Sequence, residues 1–287
     1  MDRPLGLLAG EGIFPLLVAQ GARAAGRQVV CVGFAGAAWP ELRRLCDVYA
    51  SISLMRANAW ISFLPRHGVS EAIMVGRVSK IAAHDPTELL RYIPDLRMAR
   101  VAWTVFRHDK RPQVFLDAAT RELARDGVTL IDSTTYCPEH LATPGVMTRR
   151  QPTAEQWDDV RFGFDRCQTL SQLDIGQAIA VSKRDVIAVE ALEGTNAMIE
   201  RAGKVGRTSG WTLIKVANTH QDMRLDVPTI GTTTIEKLAA ARAGCVVLEP
   251  GKTIILEKPK VLELADRYKI AIVGYVADAA AGAGAGQ

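Results

Sequence analysis

The chain lacks any apolar run near the ~20 residues needed to cross a bilayer. It also lacks signal-peptide architecture: Met1-Asp2-Arg3-Pro4 leads straight into a strand-like apolar run. No two of Cys31, Cys46, Cys137, Cys167 and Cys245 form a Cys-x-x-Cys pair, and the count is odd. Reduced thiols in a cytoplasmic protein fit this better than a disulfide framework. The histidines (His67, His84, His108, His140, His220) are too scattered for a zinc site. Strong charge of either sign is missing too. A net charge of +4 suits an anionic ligand or membrane surface but is too small to argue for nucleic acid. There is no Gly-x-x-x-x-Gly-Lys-Ser/Thr phosphate loop, no Gly-x-Ser-x-Gly elbow, no Glu-rich Nudix helix and no two-metal phosphoesterase signature.

What is present is ordinary globular material, 48% hydrophobic and 23% charged, and 287 residues suffice for two domains with sizeable cores. In the first half, apolar runs at 5–9, 28–33, 72–76 and 128–131 read as buried strands. Helical patterns at 13–25, 57–67, 86–92 and 112–125 alternate with them. This predicts an α/β fold with a mostly parallel sheet in residues 1–133, whose post-strand loops share one edge. Residues 134–153, rich in Pro, Thr and Arg, read as a linker. Residues 154–277 predict a second α/β domain. It has an amphipathic helix around Trp157–Leu170, a hairpin of strands 177–181 and 186–189, and a strand at 211–216. Strands 245–248 and 253–256 flank the turn Glu249-Pro250-Gly251-Lys252, helices fall at 197–202, 233–241 and 260–268, and a last strand covers 270–276. The Ala-Gly tail at 278–287 offers almost nothing to bury and is expected to be disordered.

The densest chemistry lies in Gln221-Asp222-Met223-Arg224-Leu225-Asp226-Val227-Pro228-Thr229-Ile230-Gly231. Two carboxylates, a guanidinium, an amide and a hydroxyl fall in a segment that Pro228 keeps out of regular helix or central strand. The ordinary alternative is a solvated turn with a local ion pair. Gly10-Glu11-Gly12-Ile13-Phe14-Pro15 follows the first strand and opens a helix, as a phosphate-binding turn does. Pro15 at the third glycine position, and Gly33-Phe34 with no acid after the second strand, exclude NAD. A ligand-free tight turn remains open. Arg77 and Lys80 follow the 72–76 strand on the same expected edge; they are either phosphate neutralisers or surface cations. Asp174-Ile175-Gly176-Gln177 precedes a strand, and Glu190-Ala191-Leu192-Glu193-Gly194-Thr195-Asn196 follows one. Capping explains Thr195 or Asn196, but not the two acids before them.

These motifs, in this order, resemble the LpxI family, the UDP-2,3-diacylglucosamine pyrophosphatases of bacterial lipid A biosynthesis, over nearly the whole chain. Where the family pattern has Asp after Gly-Thr, this chain has Asn196. The resemblance implies a Rossmann-like N-terminal domain, a linker and a distinct α/β C-terminal domain. It implies Mg²⁺-dependent attack of water on the diphosphate of UDP-2,3-diacylglucosamine, giving UMP and 2,3-diacylglucosamine 1-phosphate (lipid X). It also implies a homodimer. The lipid product predicts transient, peripheral contact with the inner membrane surface. On this reading Asp226 is the critical acid, as metal ligand or general base. Asp222 shares or orients the metal, and Arg224 clamps phosphate. Glu190 and Glu193 are further metal candidates. Gln177, Thr195, Lys215, Gln221 and Thr229 are expected substrate contacts, and Gly10, Gly12, Ile13, Phe14, Arg77 and Lys80 expected uridine or phosphate contacts. The alternative kept beside it is a non-catalytic nucleotide-sugar or lipid-precursor binding protein.

Overall fold

The computed structural model describes residues 3–34, 40–77, 93–106, 112–205, 209–218, 223–224 and 227–277. The expected helix at 86–92 and the tail at 278–287 lie outside them. The chain forms two compact units, Met1–Pro138 with Met223–Asp226, and Glu139–Asp222 with Val227–Gln287.

The first unit is built on a five-stranded parallel sheet of β1 (Leu5–Ala9), β2 (Val29–Phe34), β3 (Val48–Ile52), β4 (Glu71–Val75) and β5 (Thr129–Leu130), in the order β3-β2-β1-β4-β5. Every residue of β1 and β2 is buried, which is why both read as unbroken apolar runs rather than alternating ones. β3, Val-Tyr-Ala-Ser-Ile, is an edge strand with no fully buried residue, and its weak apolar signal hid it in the sequence. Helices α1 (Phe14–Ala24), α2 (Leu42–Leu45), α3 (Ala57–Arg66), α4 (Leu96–Val101) and α5 (Pro112–Arg125) accompany the sheet, and a five-residue π-helical turn, Ala102–Phe106, extends α4. Trp60, Ile61, Leu64, Met98 and Leu123 meet Leu8, Val30, Val32 and Met74 in one core. The strand order reverses between β1 and β4. In sheets of this kind the crevice at that reversal, outside the strand C-termini, is where ligands bind.

The second unit carries a six-stranded mixed sheet in the order β6-β13-β11-β9-β7-β8. Its members are β6 (Gly145–Val146), β7 (Ala178–Ser182), β8 (Asp185–Val189), β9 (Trp211–Lys215), β11 (Ala243–Leu248) and β13 (Ala271–Gly274). β9, β11 and β13 run parallel, whereas β6, β7 and β8 join antiparallel. Side chains alternate between faces, so the sheet feeds two cores. Helix α6 (Ala154–Gln172) packs Val160, Phe164 and Cys167 on Ile179, Val181, Ile214 and Val247. Gly163 permits the approach, since a Cβ there would meet Ile214 Cδ1 at 2.5 Å. Helices α7 (Thr195–Val205), α8 (Thr232–Ala240) and α9 (Lys258–Arg267) cover the other face through Met198, Ile199, Ile235, Leu238 and Val261.

The β7–β8 hairpin turns through Lys183 and Arg184, both in the left-handed region (φ 54° and 59°), as a two-residue primed turn requires. Neither is glycine. Buried Asp159 of α6 supports the turn by accepting a hydrogen bond from the Arg184 N–H at 2.7 Å. The strand expected at 253–256 leaves the main sheet instead of pairing across the turn at 249–252. As β12 (Ile254–Ile255) it pairs in parallel with β10 (Thr229–Ile230), a short strand inside the acidic loop segment. Within residues 134–153, read from sequence as a linker, β6 pairs with β13, and the Ala142 N–H donates to Thr253 O.

Candidate active site

At the reversal point of the first sheet, the turns after β1 and β4 are joined. The Gly10 N–H donates to Val75 O at 2.8 Å, while Glu11 and Arg77 exchange backbone bonds at 2.7 and 2.9 Å. Two glycines make this possible. A Cβ on Gly10 would lie 2.6 Å from Arg77 O; one on Gly76, whose φ is +95°, would lie 2.7 Å from Gly10 C. The base of the crevice is therefore sealed by backbone, and the open part begins at Gly12. There φ is +103° and nothing stands within 4 Å of the Cβ position. Ile13 then starts α1 with no side-chain cap and no acid in the first turn, so the helix's own first turn sets no negative charge against the positive end of its dipole. Arg77 is exposed beside this turn. The structure thus brings Gly10, Gly12, Ile13, Phe14 and Arg77 to one edge, whereas Lys80 lies outside the described residues.

The same unit holds part of the acidic loop. Ser133, buried just beyond β5, donates to Met223 O twice, from its N–H at 3.2 Å and from Oγ at 2.8 Å. Its neighbour Asp132 accepts from the N–H and hydroxyl of Thr134, both at 2.7 Å, an Asx turn that fixes the Ser133 backbone. The sequence reading overlooked Asp132 and Ser133. The available signal was the polar run Asp132-Ser133-Thr134-Thr135 directly after a strand, on the edge already singled out. Arg224 is half-buried next to Met223. Gln221, Asp222 and Asp226 lie outside the described residues.

In the second unit a charged chain of contacts forms where β9 ends and α7 begins. Lys215 closes β9 with only 7% of its surface exposed. Its Nζ donates to Thr195 Oγ1 at 2.8 Å, and the Thr195 hydroxyl donates to Glu190 Oε1 at 2.7 Å. The hydroxyl expected to cap a helix thus links a cation to a carboxylate. Glu190 Oε2 is buried and makes no hydrogen bond among the described residues. Beneath it, burial pushes the Cys167 thiol up to about 12; the Glu190 charge adds to this and Lys215 opposes it. Gly176 sets the close approach of the neighbouring strand, as a Cβ there would sit 2.0 Å from Glu190 O. Gln177 is half-buried and its carbonyl accepts the Val216 N–H at 3.0 Å.

Glu193 is placed differently from Glu190. It accepts from the Ala191 N–H at 3.2 Å and pairs with Arg201 at 2.7 Å. Its own backbone N–H, then Arg201, hold the carboxyl below the usual range. It fastens the 190–194 turn. Asp174, at φ 55°, accepts from Asn218 Nδ2 at 2.7 Å, so the Asp-x-Gly part of its motif shapes a turn. Thr229 is half-buried in β10. Among the described residues no group of three or more His, Cys, Asp or Glu is arranged to hold a metal ion.

Residues 4–140 match the LpxI N-terminal domain and residues 143–273 the LpxI C-terminal domain. The chain is 27% identical over 281 residues, 95% of its own length and 97% of the relative's, to UDP-2,3-diacylglucosamine pyrophosphatase LpxI of Caulobacter vibrioides. With both domains matched in order along nearly the whole sequence, the chain belongs to the LpxI family.

Proposed function

We propose that the protein hydrolyses the diphosphate of UDP-2,3-diacylglucosamine, giving UMP and 2,3-diacylglucosamine 1-phosphate (lipid X), in lipid A biosynthesis. The observation that carries this reading is the collinear match, through both domains, to a relative named for that reaction. Diphosphate hydrolysis needs anion neutralisation, a positioned water and stabilisation of the leaving phosphate. The Lys215–Thr195–Glu190 chain supports it by holding a buried cation, a hydroxyl and a carboxylate in one place.

The donor chemistry fits Mg²⁺. Glu190 offers a buried carboxylate oxygen with no hydrogen bond among the described residues, Asp222 and Asp226 would supply further hard oxygen ligands, and one or two carboxylates suffice for this ion. When bound, Mg²⁺ would neutralise the diphosphate and polarise its phosphorus. Asp226 is the critical acid, holding the ion or taking up the proton of the attacking water, Asp222 shares or orients the ion, and Arg224 holds phosphate. The Gly12–Ile13 turn and Arg77 hold the uridine phosphate end. The protein acts as a cytoplasmic homodimer touching the inner membrane.

Purified protein with Mg²⁺ should release UMP from UDP-2,3-diacylglucosamine, and in ¹⁸O-water the labelled product reports which phosphorus is attacked. Asp226→Ala should lower the rate on the order of 10²–10³-fold. Near wild-type turnover in that variant refutes the role of Asp226. Tight substrate binding with no UMP from the wild type would make the protein a binding protein instead.

A further inference from the structure

The turn after β11 reaches back to the strand beside it. Lys215 and Leu248 face each other where β9 and β11 end. Beyond them the Val216 N–H points away from β11, to Gln177 O at 3.0 Å, so the next amide to point toward β11 is that of Ala217. By then β11 has turned off. Glu249-Pro250-Gly251-Lys252 folds over, and the Glu249 carbonyl accepts the Lys252 N–H at 3.4 Å. The Glu249 side chain takes over as acceptor for the strand. Its Oε2 accepts the Ala217 N–H at 3.0 Å, while Oε1 pairs with Lys252. Ala217 is 4% exposed, so its amide has little access to water and depends on that carboxylate.

The same stretch of chain grips a second place. The Ile254 N–H donates to Pro228 O and the Leu256 N–H to Ile230 O, both at 2.9 Å, as β12 pairs with β10. The stretch is itself anchored. Thr253, Ile254 and Ile255 are buried, the Ala142 N–H donates to Thr253 O at 2.8 Å, and Ala142 O accepts the Gly251 N–H at 2.9 Å. Residues 249–256 therefore hold the acidic segment at both ends, at Ala217 where it leaves β9 and at Pro228 and Ile230 where it rejoins the domain. Pro228 and Ile230 are held by backbone, which any sequence could supply. Ala217 is held by one particular side chain, 13% exposed, with both of its oxygens engaged.

We infer that Glu249 is a positioning residue. By holding Ala217 it fixes the point from which the acidic segment departs, two residues beyond Lys215, and so sets that segment against the Lys215–Thr195–Glu190 chain. The inference rests on the proposed reaction, in which Asp222 and Asp226 act from this segment.

The test pairs UMP release in the presence of Mg²⁺ with amide hydrogen exchange, read on peptides from the full chain without substrate or metal. Glu249→Ala removes the acceptor. A peptide covering residues 213–218 should then gain an amide that exchanges at least about ten-fold faster. The kcat for UMP release should fall at least about ten-fold, as expected when reacting groups shift by about 1 Å. Glu249→Gln keeps a carbonyl oxygen for Ala217 and should return both quantities to near wild type. Peptides from α6 should exchange alike in all three proteins.

Unchanged exchange in Glu249→Ala overturns the proposal, and so does faster exchange with an unchanged kcat. If Gln is as damaging as Ala, the charge matters and not the acceptor, and Glu249 is no positioning residue. Faster exchange across α6 as well would make it a support of the whole domain and overturn the local role. Wild type that releases no UMP refutes the reaction and any part for Glu249 in it, while the exchange result still decides whether the carboxylate holds Ala217.

Discussion

Replacing Thr195 with Val tests the charged chain of the C-terminal domain with almost no change in shape. The hydroxyl makes two charge-assisted hydrogen bonds, one from Lys215 Nζ at 2.8 Å and one to Glu190 Oε1 at 2.7 Å. Such bonds contribute roughly 1.5–3 kcal/mol each when formed inside a protein. The variant also strips Glu190 of its hydrogen bond while Oε2 already has none among the described residues. The expected loss is therefore about 2–4 kcal/mol in the urea transition of the C-terminal domain, read by far-ultraviolet circular dichroism. UMP release should fall at least about ten-fold, because a shift near 1 Å at a reacting group is enough to cost that much. Thr195→Ser keeps the hydroxyl and should recover most of both quantities. If Val costs less than about 0.5 kcal/mol and leaves the rate intact, the hydroxyl joins nothing of consequence. If Ser behaves like Val, the loss comes from the missing methyl and the hydrogen-bond account fails.

Gly176→Ala places a Cβ 2.0 Å from Glu190 O, so it should displace Glu190 and lower turnover by about ten-fold or more. Gly127→Ala, at φ +79° with open space around it, should cost only roughly 1 kcal/mol of stability. In thiol titration at pH 8, half-buried Cys46 should give about one prompt equivalent, since the other four cysteines are buried; prompt reaction of Cys167, whose burial raises its thiol to about 12, would contradict the packing. The Arg97 hydrogen bond holds the Asp126 carboxyl below its ordinary value. A depressed carboxylate stabilises the fold above its unfolded pKa and loses that contribution as pH falls through the folded one. Asp126→Asn should therefore cost roughly 1 kcal/mol at pH 7, a figure reduced for its partial exposure, and the gap from wild type should close below about pH 4. A gap that persists at pH 2 would contradict the ion-pair account.

Most of the architecture could be read before any coordinates, and the exceptions share a cause. β1, β2, β7 and β9 are fully buried, so burial wrote itself into contiguous apolar residues. β3 is half-exposed and carries Ala50 and Ser51, leaving no periodic signal. β10 and β12 are two residues each and pair across 25 positions of register separation, Thr229 with Ile254; local pattern does not reveal such a partner.

The site divides similarly. Gly10 was expected in a tight or phosphate-binding turn and Gly176 only before a strand; the structure shows that both are places where two backbones meet. Glu190 and Glu193 look equivalent in sequence, yet one faces Thr195 and Lys215 while the other is held by Arg201. Only the path of the turn separates them. Arg97 gave no warning of its ion pairs, because its partners Glu122 and Asp126 lie in and just after α5, 25 and 29 positions away.

The Ser133–Met223 contact sets a clock. Its partners stand 90 positions apart, and closing a flexible loop of that length carries a chain-entropy cost of about 4 kcal/mol. At ribosomal speeds of roughly 5–20 residues per second, Met223 emerges some 5–20 s after Ser133. Throughout that interval the N-terminal sheet is complete in every strand but still lacks the segment that Ser133 holds. A nascent chain would therefore show a folded sheet well before its acidic loop is fastened, and a premature stop between Ser133 and Met223 would yield an orderly domain with its clasp permanently open.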